Sequence, residues 1–203
     1  MDFIAANWLG MLGLVSGLLC VWLLIRENIY TFPLGLLYAV VTVVVMLDAR
    51  LYADVLLNGY YVIMNAYGWY FWLRGDPDRR AGKVLQVAWA GATSRYLAVG
   101  ITVLGTLIMG WYFDQHTDAD FAYPDSFTTM ASFVAMWMSA RKYLDSWVLW
   151  FVVDVASVAL YLAKAQSDPT LYYYAFLYLV YLWMAVVGYR AWRVHLSDHS
   201  VAA

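Results

Sequence analysis

Apolar residues run along this chain in seven long blocks, at 8–25, 28–48, 51–73, 95–113, 126–140, 144–164 and 171–192. The stretches between and around them hold most of the charge. A helix that crosses the hydrocarbon core of a bilayer needs roughly 20 mostly apolar residues, so each block predicts a membrane-spanning helix. The fifth is the shortest, and Ser and Thr interrupt it. No block alternates with the two-residue period of a barrel strand, and a helix satisfies its own backbone where no water is available. The predicted fold class is all-α: a polytopic membrane protein with seven transmembrane helices. The one linker-like stretch is 74–83.

The blocks repeat. Trp22-Leu-Leu-Ile-Arg26 is answered by Trp137-Met-Ser-Ala-Arg141, Leu51-Tyr52 by Leu171-Tyr172, and Gly68-Trp-Tyr-Phe-Trp72 by Gly188-Tyr-Arg-Ala-Trp192. The offset is 115 residues before the last loop and 120 after it. Three spans invert the direction of the chain, and a single fourth span restores it, so the second triple enters with the orientation of the first. This predicts one membrane domain over 1–203, a parallel 3+1+3 repeat of the SWEET type, with repeats at 8–73 and 126–192 and a linker helix at 95–113. Internal repeats of membrane segments point to transport, with the substrate between them.

Composition agrees. Hydrophobic residues make up 65% of the chain and charged residues 13%, where a soluble domain carries about a quarter charged; the mean hydropathy is +0.64. The basic residues set the orientation. Arg26, Arg74, Arg79, Arg80, Lys83, Arg95, Arg141, Lys142, Arg190 and Arg193 fall on one side of the predicted spans, and only Arg50 and Lys164 on the other. The positive-inside rule makes the first side cytoplasmic, with the N-terminus outside and the C-terminus inside. The Asp-rich loop 114–120, without Lys or Arg, falls outside. The N-terminus lacks the basic start of a cleaved signal peptide, so the first block is expected to be retained as a span.

Other classes find no support. The single Cys20 allows no disulfide framework or Cys-based metal site, no basic patch suggests nucleic acid, and His116, His195 and His199 fall in loops or the tail without metal-ligand spacing. No Lys in the last span suits retinal, no G-x-S-x-G suits a protease, and no G-x-x-x-x-G-K-[ST] suits a nucleotide-driven pump. The expectation is no enzyme, no cofactor and no metal. A non-transporting membrane receptor or scaffold stays open as the alternative class, against the repeat.

Within the spans, Trp147, Trp150, Asp154, Ser157 and Tyr161 share one face of the sixth at 100° per residue. Asn58, Tyr61, Asn65 and Trp72 share a face of the third, Tyr174, Tyr178 and Tyr181 one of the seventh, and Thr31, Tyr38 and Thr42 lie on one side of the second. These interior polar and aromatic positions suit a flat, hydrogen-bonding aromatic ligand. Asp154 is the one acidic residue near the middle of a span, where it costs about 2.5 kcal/mol or more, and no Lys or Arg shares its depth. A cationic ligand or a proton is a fitting partner; a protonated Asp bonded to a neighbouring Asn or Tyr is the bland reading. Trp147, one turn inside the cytoplasmic end, fits an interfacial belt as well as a site. Asn65 fits a helix–helix hydrogen bond as well as a ligand contact.

Leu51-Tyr-Ala-Asp54, Asn65-Ala-Tyr-Gly-Trp-Tyr-Phe-Trp72, Asp125-Ser126, Arg141-Lys-Tyr143 and Trp147-Val-Leu-Trp150 occur in order along the chain. With them the sequence resembles the PnuC family of bacterial vitamin transporters over almost its whole length. The resemblance implies seven spans in a three-one-three arrangement in the bacterial inner membrane. It further implies a homotrimer, and uptake of nicotinamide riboside by facilitated diffusion with trapping by a cytoplasmic kinase; some relatives take thiamine or riboflavin. It places a substrate site on Trp147, Trp150, Asp154 and Asn65, with the two Trp stacking on the pyridinium, and the polar faces of the other spans add Tyr38, Asn58 and Tyr178. The family motif W-x-x-W-x-x-x-N here ends on Asp154, which keeps thiamine as the alternative substrate. In the second span, where many relatives have an Asn, this chain reads Gly35-Leu-Leu-Tyr38, and Met136 stands where some have a Gln.

Overall fold

The computed structural model describes the chain except residues 1, 49–51, 76–79, 82–83, 119 and 197–203. Arg50, Leu51, Arg79, Lys83 and His199 therefore lie outside the described residues. The helices are α1 (Asp2–Ile25), α2 (Thr31–Asp48), α3 (Tyr52–Arg74), α4 (Ala92–His116), α5 (Ala122–Ala140), α6 (Asp145–Lys164) and α7 (Tyr172–Val194). Each predicted span corresponds to one of them. Among the described residues, α4, α6 and Pro169–Val194 are long and apolar enough to cross a membrane, and Leu14–Ile25 and Thr31–Val44 are shorter apolar stretches.

The differences lie at the ends. The fifth helix reaches back to Ala122, and its Pro124 sits in the first turn, where a missing N–H costs nothing. The fourth runs on through Asp114, Gln115 and His116, expected as loop. It stops where Thr117 takes an extended backbone, φ −142° and ψ 163°, with its N–H (2.9 Å) and its hydroxyl (2.7 Å) still on the Phe113 carbonyl. A 3₁₀ turn, Pro169–Leu171, leads into α7. The hydroxyl and N–H of Thr170 both donate to Asp168, which holds that carboxyl below its usual range. The linker-like stretch carries an antiparallel two-strand ribbon, Arg80–Ala81 with Val84–Leu85, that periodicity did not predict.

The chain divides into two compact units, 1–85 and 86–203. In the first, α1 packs on α2 and α2 on α3. In the second, α4 packs on α5, α5 on α6 and α6 on α7. The helix predicted as a linker is thus part of the second unit. Its buried positions are the small residues Ala98, Thr102 and Gly110, while Leu97, Val99, Ile101, Leu104, Leu107 and Ile108 are exposed. In water so broad an apolar surface would be a liability. In lipid, small residues on the packed side and large apolar ones outside are the expected division, because close approach rather than apolar burial drives helix association there.

The turns α1–α2 and α5–α6 are built alike. Asn28 N–H donates to the Leu23 carbonyl (2.9 Å) and Glu27 N–H to Leu24 (3.0 Å); Tyr143 N–H donates to Met138 and Lys142 N–H to Ser139, both at 3.0 Å. Both are Schellman ends, and each puts a non-glycine residue in the left-handed region, Glu27 at φ 52° and Lys142 at φ 57°. The next bonds match too: Thr31 to Asn28 and Phe32 to Ile29, against Ser146 to Tyr143 and Trp147 to Leu144. Every pair is separated by the same 115 residues. Further on, the Phe32 ring meets Trp72 edge-on at 5.0 Å and 84°, and Trp147 meets Trp192 edge-on at 5.4 Å and 89°.

A glycine admits each of these rings. A Cβ on Gly68 would strike the Phe32 ring, and one on Gly188 would come within 2.5 Å of Trp147. Gly188→Ala should therefore lower the stability of the purified protein by about 1 kcal/mol, since overpacking forces ring and backbone apart. Gly100→Ala, where an added Cβ meets nothing within 4 Å, should leave the melting temperature unchanged or raise it. Equal melting temperatures for wild type and Gly188→Ala would remove the close packing from the account.

Candidate functional site

The polar face of α6 is buried in the second unit. Trp147 is 2% exposed, Asp154 4% and Ser157 2%, while Trp150 is half-buried. The two indoles go to different neighbours. Trp147 lies toward α7, against Gly188 and Trp192, and its buried Nε1 has no hydrogen-bond partner among the described residues. Trp150 lies toward α5, where its Nε1 donates to Ser139 Oγ at 3.1 Å. Trp147 is thus an element of α6–α7 packing, the counterpart of Phe32 in the first unit. Asp154 has no hydrogen bond or ion pair to any described residue. Its counterpart 115 residues earlier is Ala39, also buried, so the repeat needs only a small apolar side chain at this depth and the carboxylate is an addition.

Toward the far end of α6, Tyr161 lies stacked between Tyr174 (5.3 Å, 23°) and Tyr178 (5.4 Å, 19°) of α7. Lys164 Nζ follows, paired with both oxygens of Asp125 at 2.8 and 2.6 Å and 5.7 Å from the Tyr161 ring centroid. Tyr178 is therefore part of a tyrosine stack joining α6 to α7.

At the other end, Asp145 opens α6 as a double acceptor. Its Oδ2 takes the Ala90 N–H and its Oδ1 the Arg95 Nε, both at 2.7 Å. Ala88 accepts from Leu144 N–H at 2.9 Å. These bonds tie the segment before α4 to the α5–α6 turn. The positions of Arg95 and Asp145 marked helix ends in the sequence, but nothing there paired them across 50 residues.

The first-unit candidates sit on α2 and α3. Asn65 is buried; its Nδ2 donates to the Tyr61 carbonyl one turn back at 2.8 Å, and its amide lies against Gly35, where a Cβ would collide with it. Gly35 makes room for the Asn65 side chain between the two helices. Asn58 is buried, and Tyr38 is exposed, its carbonyl accepting from Thr42 Oγ1 at 2.9 Å. The candidates thus fall into two sets, Tyr38, Asn58 and Asn65 in one unit and Trp147, Trp150, Asp154 and Tyr178 in the other. The residue that sequence reasoning missed is Ser139, a small side chain in a Ser/Ala-rich helix that periodicity marks only as interior.

A family model described as nicotinamide mononucleotide transporter matches residues 7–194. The nicotinamide riboside transporter PnuC of Escherichia coli (strain K12) is 26% identical over 211 residues, which cover 92% of this chain and 85% of that protein. The transporter of the same name from Neisseria mucosa is 26% identical over 199 residues, 96% of this chain and 75% of that one. The riboflavin/roseoflavin transporter RibM of Streptomyces davaonensis is 27% identical over 190 residues, 91% and 84% of the two chains. The crystal structure of the vitamin B3 transporter PnuC matches with a TM-score of 0.67, over 95% of this chain and 83% of that chain at 23% identity. That likeness shows a common fold.

Proposed function

The chain belongs to the nicotinamide mononucleotide transporter family, and from that premise we propose that it imports nicotinamide riboside across a bacterial inner membrane. It is a membrane transporter and not an enzyme. Passage is by facilitated diffusion, and a cytoplasmic kinase traps the product by phosphorylation. The observation that carries the substrate reading is on α6: a half-buried Trp150 one turn from a buried Asp154 that has no partner among the described residues. A delocalised aromatic cation such as nicotinamide riboside suits both, stacking on the indole and neutralising the carboxylate. Trp147, Asn65, Tyr38, Asn58 and Tyr178 complete the proposed set.

The ten-to-two distribution of basic residues supports an outer N-terminus and a cytoplasmic C-terminus. Cysteines introduced at positions 118 and 79 should react with an impermeant reagent from opposite sides, and labelling from one side alone sinks this orientation. The matching turns support a parallel 3+1+3 repeat within one membrane domain. The family resemblance supports a homotrimer.

The similarity to RibM favours riboflavin as the second reading. Uptake of labelled nicotinamide riboside into proteoliposomes, competed by unlabelled riboside, thiamine and riboflavin, separates them. The expected result is saturable uptake without an ion gradient, competed best by the riboside. Uptake of riboflavin alone would move the assignment to the second reading. Binding without uptake of any ligand would make the chain a receptor.

A further inference from the structure

Trp150 is held by its edge. Its Nε1 donates to Ser139 Oγ at 3.1 Å, across from α6 to α5. Ser139 Oγ donates in turn to the Ala135 carbonyl of its own helix at 2.9 Å. Ser139 is 2% exposed, and Ala135 and Ala140 beside it are fully buried, so the hydroxyl is enclosed. Its proton is committed to its own helix and a lone pair to the indole. An indole has a single hydrogen-bond donor. With that donor satisfied inside the protein, what the half-buried ring offers a ligand is its face, the part that attracts a cation.

The repeat shows that architecture does not require this pair. The counterparts of Ser139 and Trp150 in the first unit are Leu24 and Gly35, 115 residues earlier. Yet the turn between them is reproduced bond for bond. The fold therefore forms without an indole at this place and without a hydroxyl to receive it. The second unit carries both.

We propose that Ser139 is a positioning residue for substrate binding, setting the plane of the Trp150 ring so that its face meets the aromatic cation. The inference rests on Trp150 being the stacking residue of the proposed function. Without the serine oxygen the indole regains rotation about its side-chain torsions, and its unsatisfied N–H competes for the polar groups around it.

The test is titration of the purified full chain with nicotinamide riboside. Ser139→Ala should weaken binding about fivefold, the weight of one hydrogen bond. Ser139→Thr, which keeps the hydroxyl, should restore it. In a Trp150→Phe background, where no N–H needs holding, Ser139→Ala should cost nothing more. The indole N–H resonance of Trp150, identified by its loss in Trp150→Phe, should shift in Ser139→Ala and return in Ser139→Thr. Unchanged affinity in Ser139→Ala, or the same loss in both backgrounds, would overturn the positioning role and leave Ser139 as helix packing. A Trp150→Ala protein that binds like the wild type would instead overturn the stacking reading itself.

Discussion

Trp150→Ala should weaken the binding of nicotinamide riboside by about 2 kcal/mol, roughly thirtyfold, the contribution of a cation on a desolvated aromatic face. The loss should appear in binding and not in folding. Trp150 is half-buried, its one hydrogen bond goes to Ser139, and its repeat counterpart is a glycine. The parallel substitution at Trp147 should behave differently. That ring is 2% exposed and fills the space between Gly188 and Trp192, so Trp147→Ala should first lower the melting temperature by opening a cavity. A folded Trp150→Ala protein with wild-type affinity would return Trp150 to packing and remove the main support for an aromatic cation as substrate.

Asp154→Asn should cost a cationic ligand about 2 kcal/mol, the weight of a charge-assisted contact, while a neutral analogue of the same shape loses much less. The carboxylate is 4% exposed with no described partner, and its place in the first unit is taken by Ala39. Asn is also the residue that the resemblance implies there. If Asp154 serves only as a hydrogen-bonding substitute for Asn, the change is nearly silent. The pH dependence follows from the sign. Protonation removes the negative charge, so wild-type affinity for the cation should fall as pH falls, toward the level of Asp154→Asn. The variant, with nothing to protonate there, should stay level. Equal affinities of the two proteins across about pH 5 to 8 would end the counter-ion reading.

The helices were legible because lipid imposes a length. Roughly 20 apolar residues in a row leave the chain one way to satisfy its backbone, and α2, α6 and α7 begin and end within three residues of the predicted spans. Where a helix outran its apolar block, as at Asp114 to His116, the reason is local: hydrogen bonds propagate along the backbone until Thr117 turns extended. The repeat was legible because it is kept in rings and glycines, the residues whose size matters at a close crossing. Its turn was not. Glycine or asparagine usually marks a Schellman end, and here Glu27 and Lys142 take the left-handed position at about 1 kcal/mol each, so neither turn had a sequence signature.

Hydrophobic length and a 3.6-residue period were enough for the class, the seven helices and the face of α6 that carries Trp147, Trp150, Asp154 and Ser157. Tertiary structure alone decided what each side chain on that face meets. Trp147 and Trp150 are one turn apart and alike in sequence, yet one is sealed against Gly188 of α7 and the other is bonded to Ser139 of α5. Periodicity fixes an angle around a single helix axis. Which neighbour stands at that angle, and whether it offers a glycine or a hydroxyl, depends on residues 41 positions ahead or 11 behind, brought there by helix packing.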